Sequence, residues 1–244
     1  MDIRVLHGWD IAPEEAVRLQ ERLSTSVVQG PPLDAENVQL VAGVDVSSQK
    51  EHPLLTAGIV VCRAHDPTEI VETTAAQQST SFPYIPGLLA FRELPAVVGA
   101  LQQLQSEPDA LLVDGHGWAH PRRFGIACHL GLLLDRPTVG VAKSLLVGIE
   151  ANPGPNMGDF VPLRDRGEEI GRIVRTRERT QSLYISVGHK IDLPSAVALV
   201  LRLTRGYRLP EPSRLAHLHV NAVRKTGHGL ATPAIPHVAQ QRLW

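Results

Sequence analysis

Cysteine is nearly absent from this chain: Cys62 and Cys128 are the only two among 244 residues. Both lie in apolar runs, at no metal-binding spacing, so buried free thiols in a reducing compartment are expected. Long apolar stretches are missing as well. None approaches the roughly 18 residues that mark a bilayer-spanning helix, and the opening MDIRVLHGWD has no apolar signal core. A soluble, cytoplasmic protein with no membrane contact is expected, acting as a monomer. The chain has no Gly/Ser-rich or charge-rich linker, no internal repeat and no dinucleotide-type glycine fingerprint. One domain over residues 1–225 is expected, with a tail, 226–244, that is partly disordered.

A strong excess of either charge is also lacking. Net charge is −1, which excludes a generic polyanion binder. The distribution is uneven, however. From Leu201 to Trp244 there are seven basic residues and one acid, Glu211, whereas residues 1–36 lean acidic. This asymmetry fits either an anionic partner on the C-terminal side or a solvated face.

What is present centres on LLVDGHGWAHPRRFGIACHLGLLLDRPTVGVAKSLL, residues 111–146. An apolar run from Ala110 to Val113 reads as a buried strand ending on Asp114. Gly115 and Gly117 follow, then a helical pattern from Phe124 to Leu134. A second strand, Thr138 to Ala142, ends on Lys143. Ligands of open α/β sheets sit beyond the carboxyl ends of strands. A carboxylate and an ammonium at such ends, with a glycine turn between them, suit an anionic substrate and a metal ion.

Earlier in the chain, Pro13 to Leu23 reads as a helix with an acidic first turn. Strands are expected at Val38–Val46, Thr56–Arg63 and Glu69–Ala76, forming an antiparallel meander. A loop with Lys50, Glu51, His52 and Pro53 separates the first two. Asp45 is either a turn-capping residue or a metal ligand; the local pattern leaves both open. Ser81 to Pro86 is stiffened by prolines, so Tyr84 is either a projecting aromatic or a packed loop tyrosine. A helix from Gly87 to about Leu104 carries Glu93, and Pro95 predicts a kink or break in it. Later, Glu169–Val174 and Leu183–Val187 read as a hairpin. Ile191–Leu203 reads as a helix capped by Asp192, and a final helix starts at Ser213. The class is α/β with a central mixed sheet flanked by helices. Asp45, Asp114 and Glu93 make an oxygen-donor set suited to Mg²⁺.

The motifs VAGVDVS, PYIPGLLAFRELPA, VDGHG-x-x-HPRR-x-G-x-A-x-H-x-G, PT-x-GVAKS and GYRLPEP-x-R-x-A resemble the endonuclease V family, in order, from about Glu14 to His217. The resemblance implies a ribonuclease H-like fold. It also implies a Mg²⁺-dependent endonuclease, with Mn²⁺ able to substitute. The implied substrate is DNA containing deoxyinosine, nicked at the second phosphodiester on its 3′ side to leave 3′-hydroxyl and 5′-phosphate ends. Inosine-containing RNA is the alternative substrate. By position in the motifs, Asp45, Asp114 and Glu93 are the metal-binding acids, and Lys143 and His217 complete the catalytic set. Pro83, Tyr84, Ile85 and Pro86 match the wedge that separates the strands. Gly87, Leu89, Gly115, Gly117, Ile126 and Leu146 match the pocket for the extruded base. His120 is expected at DNA or beside the metal ligands, and Arg122 and Arg123 at phosphates.

Overall fold

The computed structural model describes residues 1–34, 36–48 and 53–230. Residues 50–52 of the expected loop and the tail from 231 onward lie outside them. In chain order the elements are α1 (Pro13–Ser24), β1 (Leu40–Ser48), β2 (Leu54–Arg63), β3 (Ile70–Ser79), α2 (Leu89–Leu101), β4 (Ala110–Asp114), α3 (Ile126–Leu134), β5 (Thr138–Ala142), β6 (Phe160–Asp165), β7 (Glu168–Val174), β8 (Leu183–His189), α4 (Leu193–Arg202) and α5 (Glu211–Thr226). The strands form one eight-stranded sheet, ordered β3-β2-β1-β4-β5-β8-β7-β6. None of the described helices is long and apolar enough to cross a membrane.

The parallel centre of the sheet explains its sequence. β1, β4 and β5 run parallel and are covered on both faces, so their side chains are apolar in unbroken runs rather than alternately. On one face Ala42, Val44, Leu111 and Val113 pack with Leu94, Val97 and Leu101 of α2 and Leu130 of α3. On the other, Val41, Leu112 and Val139 meet Ala196, Val197 and Val200 of α4. Burying one such Val, Leu or Ile stabilises the fold by about 1.5–3 kcal/mol. α5 lies over β1 and β2, where Leu215 and Ala216 pack with Val60 and Cys62. It approaches so closely that a Cβ on Gly43 would lie 2.0 Å from the Pro212 carbonyl oxygen. Only glycine permits that approach, and it is what lays the end of the chain across β1.

Several expectations need correction. The helix read from Gly87 to Leu104 spans only Leu89–Leu101, and it continues through Pro95. Proline removes one i→i−4 bond, but Leu94 before it and Val97 and Leu101 after it are anchored in the same core, which holds both halves in line. β6 was not read as a strand. Within it only Leu163 is buried, and it carries Pro162. Such an outer strand lacks the alternating signal and tolerates proline because one edge needs no ladder bond. The last helix starts at Glu211, with Pro212 in its first turn, where proline's missing N–H is harmless. Asp192 does cap α4, accepting from the Ser195 N–H at 2.8 Å.

Histidine supplies part of the core on the α1 side. His129 is fully buried beside Phe91 and Phe124, and its Nε2 lies 2.7 Å from Nε2 of His7. One ring must donate and the other accept, so the contact fails when both are protonated. Burial holds His129 well below its ordinary pKa, with the neighbouring His7 adding to the shift. Because the folded pKa is depressed, the unfolded chain binds more protons below about pH 6.5, and stability is lost as pH falls through that window. The urea midpoint is expected to drop between pH 7 and pH 5, and His129→Asn is expected to lessen the drop without removing it, since burial also holds His116, His120, His189 and His219 down. An unchanged slope in the variant would place the proton uptake elsewhere.

Candidate active site

Sheet register brings the two aspartates together. Val44 of β1 pairs with Val113 of β4, and the next residues are Asp45, inside β1 where its pairing with β4 ends, and Asp114, the last residue of β4. Asp114 pairs in turn with Val141 of β5, so Lys143 emerges beside it. Lys143 Nζ lies 2.5 Å from Asp114 Oδ2. α2 passes over this corner and adds Glu93, and α5 adds His217, whose Nδ1 lies 2.8 Å from Asp45 Oδ2. The turn-capping alternative for Asp45 does not hold, because β1 continues past it to Ser48; Oδ1 accepts from the Val46 N–H within the strand, while Oδ2 faces His217.

The electrostatics of this corner are unbalanced. Glu93 is pushed up to about 8, chiefly by burial and then by the charges of Asp45 and Asp114. Asp45 is raised to about 6, again by burial first and then by Asp114, with Lys143 and His217 pulling the other way. One ammonium does not neutralise these acids, so the cluster favours an added cation. Its donors are oxygens only, which suits a hard divalent ion. Among the described residues no group of three or more His, Cys, Asp or Glu forms a ready-made metal cage. Hard Mg²⁺ does not require one, because it keeps waters and takes substrate oxygens.

The acids share a cavity of 330 Å³ with Tyr84, Ile85, Pro86, Gly87, Leu89, Gly115, Ile126 and Leu146. Tyr84 is 72% exposed at its rim, so it projects and is not a packed loop tyrosine. Gly115 has φ +137°, and a Cβ there would sit 2.7 Å from Ile126 Cγ2. The backbone can therefore line the cavity at that point only without a side chain. Gly117 does not line it. It packs beneath β8, where a Cβ would lie 2.1 Å from the Val187 carbonyl oxygen. Pro83 is exposed and also outside the cavity lining.

The basic residues after the glycine turn are placed differently from expectation. Arg122 donates to the Gly87 carbonyl at 2.8 Å and to Gln20 Oε1 at 2.7 Å. Arg123 bridges Asp165 and Glu168 at 2.9 and 2.7 Å. Both guanidinium groups are thus engaged inside the protein, Arg123 through Nε, Nη1 and Nη2 and Arg122 through Nε and Nη2. His120 is buried, and its Nε2 meets the same Gly87 carbonyl at 2.9 Å. Burial holds its pKa down at about 4, so near neutral pH it acts there as an uncharged donor.

Gln20, His116 and Arg208 take part without having been singled out in the sequence. Gln20 on α1 donates to the Gly87 and Phe124 carbonyls at 3.0 and 3.1 Å. Together with His120 and Arg122 it fixes the turn that follows Tyr84. His116 Nε2 donates to the Ser144 carbonyl at 3.0 Å, and Arg208 donates to the Lys143 carbonyl at 3.0 Å; both hold the backbone that carries Lys143. A glutamine amid helix charges gives no signal of such a role. The His in VDGHG was a motif position whose partner only the fold reveals.

Asp45 and Asp114 on adjacent parallel strands at the heart of a mixed 3-2-1-4-5 sheet define a nuclease of the ribonuclease H-like class. Residues 21–218 match the family model for Endonuclease V, and the chain belongs to that family. It is 49% identical over 223 residues to Endonuclease V of Gloeobacter violaceus, covering 90% of this chain and 89% of that protein. The crystal structure of the Bacillus subtilis endonuclease V superposes with a TM-score of 0.87 at 32% identity, over 92% of this chain and 97% of the other. The Ciona intestinalis enzyme, in complex with a 23mer DNA containing an inosine followed by a ribo-adenosine, gives 0.75 at 29% identity, over 86% and 97%.

The clamp on Gly87 makes Gln20 testable. Gln20→Ala removes two donors and leaves the Phe124 carbonyl and Arg122 Nε short of partners in a buried place. A loss of about 1–3 kcal/mol is expected, measured by equilibrium denaturation. An unchanged midpoint would mean that the turn is held by His120 and Arg122 alone.

Proposed function

We propose that this protein is a Mg²⁺-dependent endonuclease that receives the base of deoxyinosine in its cavity and hydrolyses the second phosphodiester bond on the 3′ side. The observation that carries this reading is the sharing of one cavity by the acids, by Lys143 and by the glycine-lined wall. Its volume of 330 Å³ lies at the small end of ligand pockets, a size that suits a single base. Membership of the family supports the position of the cut, and the inosine in the Ciona complex supports the lesion.

Asp45, Asp114 and Glu93 would hold the metal through carboxylate oxygens. When bound, Mg²⁺ supplies an activated water and stabilisation of the leaving oxygen. Lys143 offers its ammonium to a phosphate oxygen and offsets negative charge as it develops. To do so it must exchange its present contact with Asp114 for one with substrate, which a cation at the carboxylates would promote. His217 orients Asp45. In the pocket, hypoxanthine differs from adenine in its C6 carbonyl and N1 hydrogen, and from guanine in lacking the 2-amino group. Backbone groups beside Gly87 and Gly115 can read the first pair, and close packing at Ile126 can exclude the amino group. A deaminated base also costs less to extrude than a well-paired one. Tyr84, on a proline-stiffened segment, fills the space the base leaves.

Inosine-containing RNA is the second reading. A ribonucleotide follows the inosine in the Ciona complex, so the family's cleft accepts a 2′-hydroxyl at that step in that protein. Matched DNA and RNA strands with a single inosine, incubated with Mg²⁺ or EDTA, decide between them.

Asp114→Ala is expected to abolish cleavage of inosine DNA at millimolar Mg²⁺ while the fold persists, because removing one acid from a crowded cluster relieves repulsion. Cleavage at the wild-type rate would refute the site. Tyr84→Ala is expected to slow cleavage more on duplex than on single-stranded DNA of the same sequence, where there is less stacking to replace. Rates are compared at fixed salt. Equal losses on both substrates would make Tyr84 a pocket residue rather than a wedge.

A further inference from the structure

Beyond Lys143 the active-site cavity adjoins a second cleft of 930 Å³, which shares Lys143, Ser144 and Leu145 with it. One wall is the charged β7–β8 connection, RTRERTQS, residues 175–182. The opposite wall is the loop after β5, with Glu150 and Asn152. The walls are braced. Arg175 donates to the Gly154 and Thr180 carbonyls and to Asn152 Oδ1. Arg208 donates to the Ser182 carbonyl at 2.8 Å as well as to that of Lys143, which ties the charged loop to the Lys143 segment. The cleft therefore exists before anything binds.

Its chemistry points to a polyanion backbone. Arg179 lines the cleft, is exposed, and has no side-chain hydrogen bond or ion pair among the described residues. It sits at φ +57°, in the left-handed region that glycine or asparagine adopts more readily. The acid facing it, Glu150, already accepts from the Tyr184 hydroxyl at 3.0 Å. Tyr184 itself is buried and presents no open ring on which a base could stack. A cleft with a free guanidinium, polar rims and no exposed ring recognises phosphates rather than bases.

We propose that this cleft binds the sugar–phosphate backbone of the cut strand on the side of the break remote from the base pocket, with Arg179 contacting a phosphate. The assignment rests on the nuclease reading of the Lys143 end. For a cut 3′ to the lesion, the bound segment is the 3′ flank. Nucleic acid then spans base pocket, metal corner and cleft in sequence, and Lys143 stands where the last two meet.

The experiment has two arms, using the full chain and Arg179→Ala, an exposed loop substitution. In EDTA, binding of an undamaged single-stranded oligonucleotide is followed by fluorescence anisotropy across a salt series. The variant is expected to bind roughly two- to tenfold more weakly, with a log–log salt slope smaller in magnitude by about 0.7. In Mg²⁺, cleavage is compared on inosine substrates that end just beyond the cut or extend several nucleotides 3′ of it. The ratio of wild-type to variant rate is expected to rise with the 3′ extension and to be insensitive to a 5′ extension. Equal affinity and equal salt slope in the first arm would overturn the proposal, as would a ratio that follows only the 5′ length. Should the wild type fail to cleave inosine substrates at all, the nuclease reading falls, while the first arm still decides whether the cleft holds a phosphate backbone.

Discussion

The structure depends on the crowding of carboxylates at one point of the sheet. Asp45 and Asp114 stand side by side where the pairing of β1 with β4 ends, because the two strands are parallel and in register. Burial of these acids beside Glu93 raises the cost of their charge, as the upward shifts at Asp45 and Glu93 record. Such an arrangement works against stability unless cations answer it. Lys143 answers Asp114 with its ammonium, and His217 gives Asp45 a hydrogen-bond partner. The rest is left to what binds. The stored repulsion thus favours an added cation at that point.

A second constraint is the fixing of one carbonyl. Gly87 has a left-handed backbone, and its oxygen collects donors from α1, from the glycine turn after β4 and from the arginine that follows. Several hydrogen bonds converging on one acceptor remove the freedom that glycine would otherwise give the turn. The exposed Tyr84 is consequently presented from a rigid base, which lowers the ordering entropy of any insertion. The same bonds consume His120 and Arg122, residues whose charge or polarity would otherwise suggest contact with DNA. Likewise Arg123 is absorbed by Asp165 and Glu168, tying the glycine turn to the β6–β7 hairpin. Basic residues next to an active site thus also help to build it.

Much of this was legible in the residues. Short apolar runs ending on Asp114 and Lys143, and one with Asp45 near its end, marked buried strands with chemistry beside them, because a strand covered on both faces has no place for polar alternation. The prolines around Tyr84 marked a stiff segment, and Asp192 marked a helix start. The ordered motifs indicated the family. Local pattern was silent where the deciding partner is distant in sequence. β6 lies at the sheet edge with little buried, so no periodicity announced it. Pro95 looked like a break because packing on both sides of it cannot be seen from the helix alone. Gly117 was placed in the pocket by its position in the motif, yet the turn after β4 packs it against Val187.

By itself the sequence determined which residue types stand at the strand exits, and it determined the α/β class, since both follow from periodicity and composition over short windows. The tertiary structure decided which of those residues meet. Register aligned Asp45 with Asp114, a glycine at position 43 let α5 come close enough to bring His217 to Asp45 across an interval of 172 residues, and bracing by Arg175 and Arg208 opened a cleft beside Lys143. Charges interact according to their separation in space and their access to water, and neither quantity is written in the order of the chain.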